Sequence, residues 1–239
     1  QSGTRKIYLI SFCLLGSLST MGLFFTQIGD FWWGSILFVG GMIGFSFGNV
    51  FYNSLLKDVS SKETLARVSA YGWALGYAGG FTALVIHMFL IIMHTDLGIT
   101  KGLATKIALG STGLWWAIFA IPIIVNVKES PASSSDLKVS AKPWRGMLAA
   151  YREVRSIPIL GAFLLCFFLY NDAVQTTISQ ATNLANELLG MQMTEVLQAG
   201  MMIQFVAIFG SVLFLWLEKK FSTRQAVLIA LVNWIFILI

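Results

Sequence analysis

Seven long apolar blocks, at roughly residues 7–27, 32–54, 67–94, 107–127, 157–180, 196–217 and 226–239, follow one another along this 239-residue chain. The hydrocarbon core of a bilayer is about 30 Å thick, and roughly 20 mostly apolar residues of helix cross it. Blocks of this length and number leave a soluble fold little room. They show no alternation of polar and apolar residues, as a barrel strand would, and an open sheet edge cannot lie in lipid. Composition agrees: 56% of residues are hydrophobic and 11% charged, with a mean hydropathy of +0.76, whereas soluble domains carry about 25% charged residues. The expected fold class is all-α, a polytopic transmembrane helical bundle of about seven spans.

Basic residues orient the spans, because loops rich in Lys and Arg stay cytoplasmic. Alternate joints hold Arg5 and Lys6; Lys57, Lys62 and Arg67; Lys128, Lys138, Lys142, Arg145, Arg152 and Arg155; and Lys219, Lys220 and Arg224, which is 14 of the 16 basic residues. The opposite joints hold only Lys101 and Lys106. The net charge of +5 is thus a topology signal with some contact to anionic lipid, and it calls for no nucleic-acid partner. Trp32, Trp33 and Trp216 fall at span ends, where aromatic anchors belong; Trp115 and Trp116 fall nearer mid-span and are expected to pack between helices.

Cys13 and Cys166 both lie inside apolar blocks, so no disulfide framework is indicated. The N-terminus has no signal-peptide layout, and the last block stops without a polar flank, so the chain reads as a piece of a longer protein. The one long polar stretch is 128–156. Pro131 and Ser133–Ser135 open it as a flexible linker, and Trp144–Val154 has the pattern of a basic amphipathic helix on the membrane surface.

A short repeat flanks this linker. Gly3-Thr4-Arg5-Lys6-Ile7-Tyr8-Leu9-Ile10 opens the first span and Ser222-Thr223-Arg224-Gln225-Ala226-Val227-Leu228-Ile229 the seventh. Transporters are commonly built from repeated halves that bind substrate near mid-bilayer. Ser2 to Lys6 resembles the tail of the Asp-x-x-Gly-x-Arg-Arg/Lys loop between spans two and three of the major facilitator superfamily. Glu218 to Arg224 resembles its echo between spans eight and nine, with Ser222 in place of Gly and Lys219 in place of Asp. Phe51-Tyr52-Asn53-Ser54-Leu55-Leu56, the stretch Arg67 to Gly80, and Tyr170-Asn171-Asp172-Ala173-Val174-Gln175-Thr176 resemble the vacuole-effluxer-like branch of that superfamily. The resemblance implies the major facilitator fold, with this chain covering about spans three to nine. Residues 1–127 would be part of the N-terminal transmembrane half, 128–156 the cytoplasmic linker, and 157–239 part of the C-terminal half with its last span truncated. Fungal members of the branch are linked to amino-acid efflux from the vacuole.

Asp172 is the leading site candidate. Every other acidic residue lies in a joint or at a span end, while Asp172 follows a dozen apolar residues of its own span. A charged side chain at bilayer depth costs about 2.5–3.5 kcal/mol or more, so it is expected to face the bundle interior or water. Gln175, Thr176 and Ser179 share its helical face, at i+3, i+4 and i+7, with Tyr170 and Asn171 beside it. Asp172 would bind a substrate cation or ammonium group, carry a coupling proton, or serve as a structural carboxyl hydrogen-bonded to another helix. Asn49, Tyr52 and Asn53 form a second polar patch, and Trp73 and Tyr77 share one face of the third span; each group is either site lining or interhelical scaffold. Gly3, Arg5, Lys6 and Arg224 are the candidate cytoplasmic gating residues.

Gly40, Gly44 and Gly48, and likewise Gly72, Gly76 and Gly80, recur every four residues, the spacing at which small residues let membrane helices approach closely. Gly44-Phe45-Ser46-Phe47-Gly48 matches G-x-S-x-G, but a nucleophile elbow needs a strand-to-helix turn and acid and His partners, so hydrolase chemistry is set aside. His87 and His94 are expected to hydrogen-bond a neighbouring helix rather than sense protons. No metal spacing or nucleotide fingerprint is present. The expectation is a secondary transporter, not an enzyme, with no cofactor and no metal. It would move a small solute, with amino acids the leading class, by alternating access, protons being the expected coupling ion. The alternative is a channel or non-transporting membrane scaffold. It would sit in the plasma membrane of a bacterium or the vacuolar membrane of a fungus.

Overall fold

The computed structural model describes residues 4–130, 151–152 and 154–238. Gly3, the linker serines and most of the amphipathic segment expected at 144–154 lie outside the described residues. The helices are α1 (Thr4–Gly22), α2 (Phe31–Leu55), α3 (Leu65–Ile92), α4 (Lys101–Asn126), α5 (Pro158–Glu187), α6 (Met193–Lys220) and α7 (Thr223–Leu238). Short 3₁₀ turns, Leu23–Phe25 and Leu56–Asp58, end α1 and α2. Six helices are long and apolar enough to cross a membrane, and α7 is a shorter apolar helix. The protein is an all-helical, integral membrane protein.

Several helices outrun their apolar blocks. α4 begins at Lys101 rather than near 107, capped by the Thr100 side chain, which accepts from the Leu103 N–H at 3.2 Å. α5 starts on Pro158, whose fixed φ suits a first turn, and runs to Glu187 rather than 180, through Gln180, Thr182, Asn183 and Asn186. Apolar length reports where lipid ends; the helix goes on wherever its backbone bonds are undisturbed, into the polar interface.

The described residues form two compact units, one within 131–196 and one that joins those before 131 to those after 196. In the second, α1 packs along α2 and α4. The seam is built of small residues: Gly16, Ser17, Ser19, Gly44, Gly48, Ala104, Ala108 and Gly113 are buried, while Leu14, Phe38, Val39 and Phe119 are exposed outward. Helices in lipid gain nothing by burying large apolar side chains against each other, and backbones that approach closely gain dispersion contact. At Gly44 the approach is backbone on backbone, since a β-carbon there would lie 2.5 Å from Gly16 Cα and 2.7 Å from the Phe12 carbonyl oxygen. Gly113 stands in the same relation to α1, with the Ser17 carbonyl oxygen and Met21 amide nitrogen each 2.6 Å from a β-carbon. Trp116 packs its indole on Gly16 and edges against Phe45, which is why it sits mid-span. Tyr8, Phe12, Phe47 and Phe51 stack along the α1–α2 seam with centroids 5.1–5.8 Å apart. Gly40 lies against the Ser19 hydroxyl, and Gly72 against the Tyr52 hydroxyl of α2. Gly76 meets nothing within 4 Å.

Candidate functional site

The first turn of α1 clamps the C-terminal ends of α2 and α4. Arg5 Nε donates to Glu129 Oε1 at 2.9 Å, and its Nη2 lies 3.1 Å from Asp58 Oδ2. Arg5 Nη1 donates to the Ser54 carbonyl at 3.1 Å, and Lys6 Nζ donates to the Val127 carbonyl at 2.9 Å. Carbonyls at helix C-termini are unpaired and carry partial negative charge, so cations suit them. The backbone N–H groups of Arg5 and Lys6, orphans of the α1 N-terminus, donate to the two oxygens of Glu129 at 3.1 and 3.3 Å. The carboxylate side chains are 6% (Asp58) and 7% (Glu129) exposed. Burial opposes the charged form of Glu129. The Arg5 side-chain hydrogen bond, the two backbone N–H groups and the Arg5 charge outweigh it and hold the carboxyl below the ordinary glutamate value. Asp58 Oδ2 has the Arg5 charge beside it but no aligned hydrogen bond. Arg224 is exposed, and among the described residues it makes no ion pair.

Asp172 lies midway along α5. Gln175, Thr176 and Ser179 follow it on one face, all exposed, with Tyr170 and the half-buried Asn171 adjacent. The face continues outward through Asn183, whose amide donates to Gln180 at 2.9 Å. Among the described residues the exposed Asp172 side chain has no side-chain partner. On α2, Asn49 is half-buried and Asn53 exposed. Tyr52 differs from them in reaching α3: its hydroxyl would lie 3.3 Å from a β-carbon on Gly72.

α3 and α6 run antiparallel and meet along one half of their length. Gly80 lies against the Gln204 amide, the Phe81 and Phe205 rings stand 5.8 Å apart, and Leu84 lies 4.0 Å from a β-carbon on Gly200. Toward the N-terminal end of α3 the same two helices, joined by α7, line a cleft of about 810 Å³. Trp73 and Tyr77, with ring centroids 5.9 Å apart, form one wall; Ser211, Phe214 and Glu218 form the other, and Trp234 of α7 closes the side. Trp73 and Tyr77 therefore meet residues of α6 that read from sequence as an undistinguished apolar block and its charged end. Of the two histidines, His87 Nε2 lies 2.9 Å from Ser111 Oγ on the neighbouring α4, whereas His94, just past the end of α3, has its Nδ1 2.9 Å from the Ile91 carbonyl of its own helix instead of a neighbour. The Ser111 hydroxyl lies within donating distance of the Ala108 carbonyl at 3.1 Å; when it donates there, the bond to His87 has the ring Nε2–H as donor.

The model of the family described as Vacuole effluxer Atg22 like matches residues 56–239. The chain belongs to this family. Among the relatives of this Atg22-like chain is an "Uncharacterized MFS-type transporter YxiO" of Bacillus subtilis (strain 168), 27% identical over 233 residues, which covers 96% of this chain and 54% of the relative. "Autophagy-related protein 22" of Cryptococcus neoformans var. neoformans serotype D (strain B-3501A) is 30% identical over 168 residues, 68% of this chain and 30% of the relative. The protein of the same name from Yarrowia lipolytica (strain CLIB 122 / E 150) is 28% identical over 170 residues, 61% of this chain and 28% of the relative. No solved structure matches. The chain thus spans about half or less of the length of these relatives. Its helical architecture and its alignment along nearly all its length with an MFS-type transporter place it in the major facilitator fold class. The family is one of effluxers rather than enzymes.

Proposed function

We propose that this Atg22-like chain is part of a secondary transporter that moves a small solute by alternating access. The observation that carries the reading is the α3–α6 seam. It is shut where Gly80, Phe81 and Leu84 meet Gln204, Phe205 and Gly200, and open as a cleft between Trp73, Tyr77 and Ser211, Phe214. A pair of helices that touches at one end and gapes at the other can rock about the contact. With the basic joints on the cytoplasmic side, the open end faces the cytoplasm, and the Arg5 clamp holds the cytoplasmic ends of α1, α2 and α4 as one body.

The solute path is lined in part by the α5 face bearing Asp172, Gln175, Thr176 and Ser179. A carboxylate at that depth is tolerated where it meets water, a cation or a hydrogen-bonding helix; of these, we take Asp172 as the group that meets a cationic or ammonium group of the solute or a coupling proton. The family is described as vacuole effluxer Atg22 like and one relative is named an MFS-type transporter; amino acids, the class implied by the sequence resemblance, are the first solutes to test. Counterflow with the full-length protein in proteoliposomes is the experiment. A transporter preloaded with unlabelled amino acid accelerates uptake of the labelled one, whereas a channel or a scaffold produces no such acceleration.

A further inference from the structure

The turn between α6 and α7 carries three cations for one carboxylate. Lys219 and Lys220 end α6, Arg224 opens α7, and all three side chains are exposed. The carboxylate is Glu218, and its Oε1 is engaged by the Thr223 hydroxyl at 2.8 Å. Among the described residues none of the three cations enters an ion pair; Arg5 makes both of the ion pairs found there. Lys220 is not simply adrift in water. Its Nζ lies 4.7 Å from the centroid of the Trp216 ring and 5.5 Å from that of Phe221. A cation within about 6 Å of an aromatic face is attracted by the ring quadrupole. Both rings are themselves about half exposed, at 51% and 46%. Aromatic side chains at the end of a membrane span lie at headgroup depth, so the ammonium they hold lies there too.

We propose that the α6–α7 turn binds the headgroup of an anionic phospholipid. The phosphate takes charge-assisted hydrogen bonds from Lys219, Lys220 and Arg224, and Trp216 and Phe221 pack on the glycerol and the first acyl carbons. The α2–α3 turn marks the difference from a general basic surface. It also has three cations, Lys57, Lys62 and Arg67, but these are interleaved with Asp58 and Glu63, and among the described residues none of them lies over a ring. A choline headgroup brings its own cation to the site and fits it poorly. The proposal requires only that the chain sit in a bilayer, and it stands whether or not the protein transports.

Native mass spectrometry of the full-length protein in detergent, with phosphatidylglycerol or phosphatidylcholine added, tests it. The wild type retains phosphatidylglycerol in preference to phosphatidylcholine. The triple variant Lys219→Gln, Lys220→Gln, Arg224→Gln binds one phosphatidylglycerol fewer, with a loss in apparent affinity of roughly tenfold or more. The matching variant Lys57→Gln, Lys62→Gln, Arg67→Gln binds as the wild type does. Should the triple variant fold poorly, Lys220→Gln alone weakens binding several-fold and Lys220→Arg restores it. Equal loss in both triple variants would mean that the lipid responds to surface charge at large, and no preference in the wild type would mean that another segment of the protein covers the turn. Either result overturns the proposal.

Discussion

Gln204 of α6 sets its side-chain amide where a β-carbon on Gly80 of α3 would stand, 2.6 Å from its Nε2. The contact differs in kind from that of Gly44, whose near neighbours are the backbone atoms of Gly16 and Phe12. A flexible amide can swing aside; a helix backbone cannot. Gly80→Ala is therefore expected to lower stability by less than about 1 kcal/mol, and Gly44→Ala by about 1–3 kcal/mol, read from unfolding midpoints in detergent. Gly76, with nothing within 4 Å, accepts alanine without loss. Equal costs at positions 44 and 76 would contradict the seam described for α1 and α2.

Arg5 faces two carboxylates that are almost fully buried. The Arg5 side chain is itself about a third exposed, which tempers the cost of leaving the carboxylates uncompensated, so Arg5→Gln should destabilise by about 1–3 kcal/mol. Arg5→Lys recovers only part of this, because a point ammonium cannot hold Glu129, Asp58 and the Ser54 carbonyl at once. Thermal melting of the three proteins checks the order.

The depressed carboxyl of Glu129 gives that clamp a pH signature. A group whose folded value lies below its unfolded one stabilises the fold at and above the ordinary glutamate range, and the contribution is lost as pH falls through the folded value. Wild-type melting temperature should fall as pH drops below about 4.5, the ordinary carboxyl range. Glu129→Gln should start lower and show a shallower fall over the same interval. An unchanged acid slope in the variant would mean that other carboxylates carry the effect.

His87 is bonded to Ser111 across α3 and α4. Polar bonds between membrane helices are worth about 0.6 kcal/mol, so Ser111→Ala should cost about that much and leave the pH profile of solute uptake where it was. A displaced profile would make His87 a proton carrier rather than a helix tie.

The spans could be read from the chain because lipid tolerates only long apolar helices, and blocks such as 32–54 say so directly. The extra turns of α4 before 107 and of α5 after 180 could not, since Lys101, Lys106, Asn183 and Asn186 look like loop until a cap or a continuing backbone ladder is seen. Asp172 stood out because it is acidic where lipid should be. The partners of Arg5 did not: Glu129 lies 124 residues away and looks like an ordinary linker acid, and chain separation hides such pairs. Gln204, Ser211 and Glu218 were equally silent, because their significance comes from which face of α6 meets α3. Gly76 shares the spacing of Gly72 and Gly80 but not their neighbours, so the repeat overstates the contact.

Asp172→Asn in the full-length protein separates the roles open to that residue. If the carboxylate carries a coupling proton, uptake falls at least tenfold while counterflow persists, and the pH dependence flattens. If it holds a solute cation, both uptake and counterflow fall. Unchanged uptake with an unchanged pH profile would leave Asp172 a structural group.

The rocking of α3 against α6 is tested most directly by thiol accessibility in a full-length protein freed of Cys13 and Cys166. Single cysteines at Ser211 in the cleft and at Gln204, which lies against Gly80 in the contacting half, are challenged with a membrane-impermeant maleimide, with and without saturating solute. The expected result is that Ser211→Cys reacts from the cytoplasmic side alone and Gln204→Cys is protected from the outside. Solute should then change the two rates in opposite directions. If both positions react at once from their respective sides, or if neither rate responds to any transported solute, the seam does not alternate and the account is contradicted.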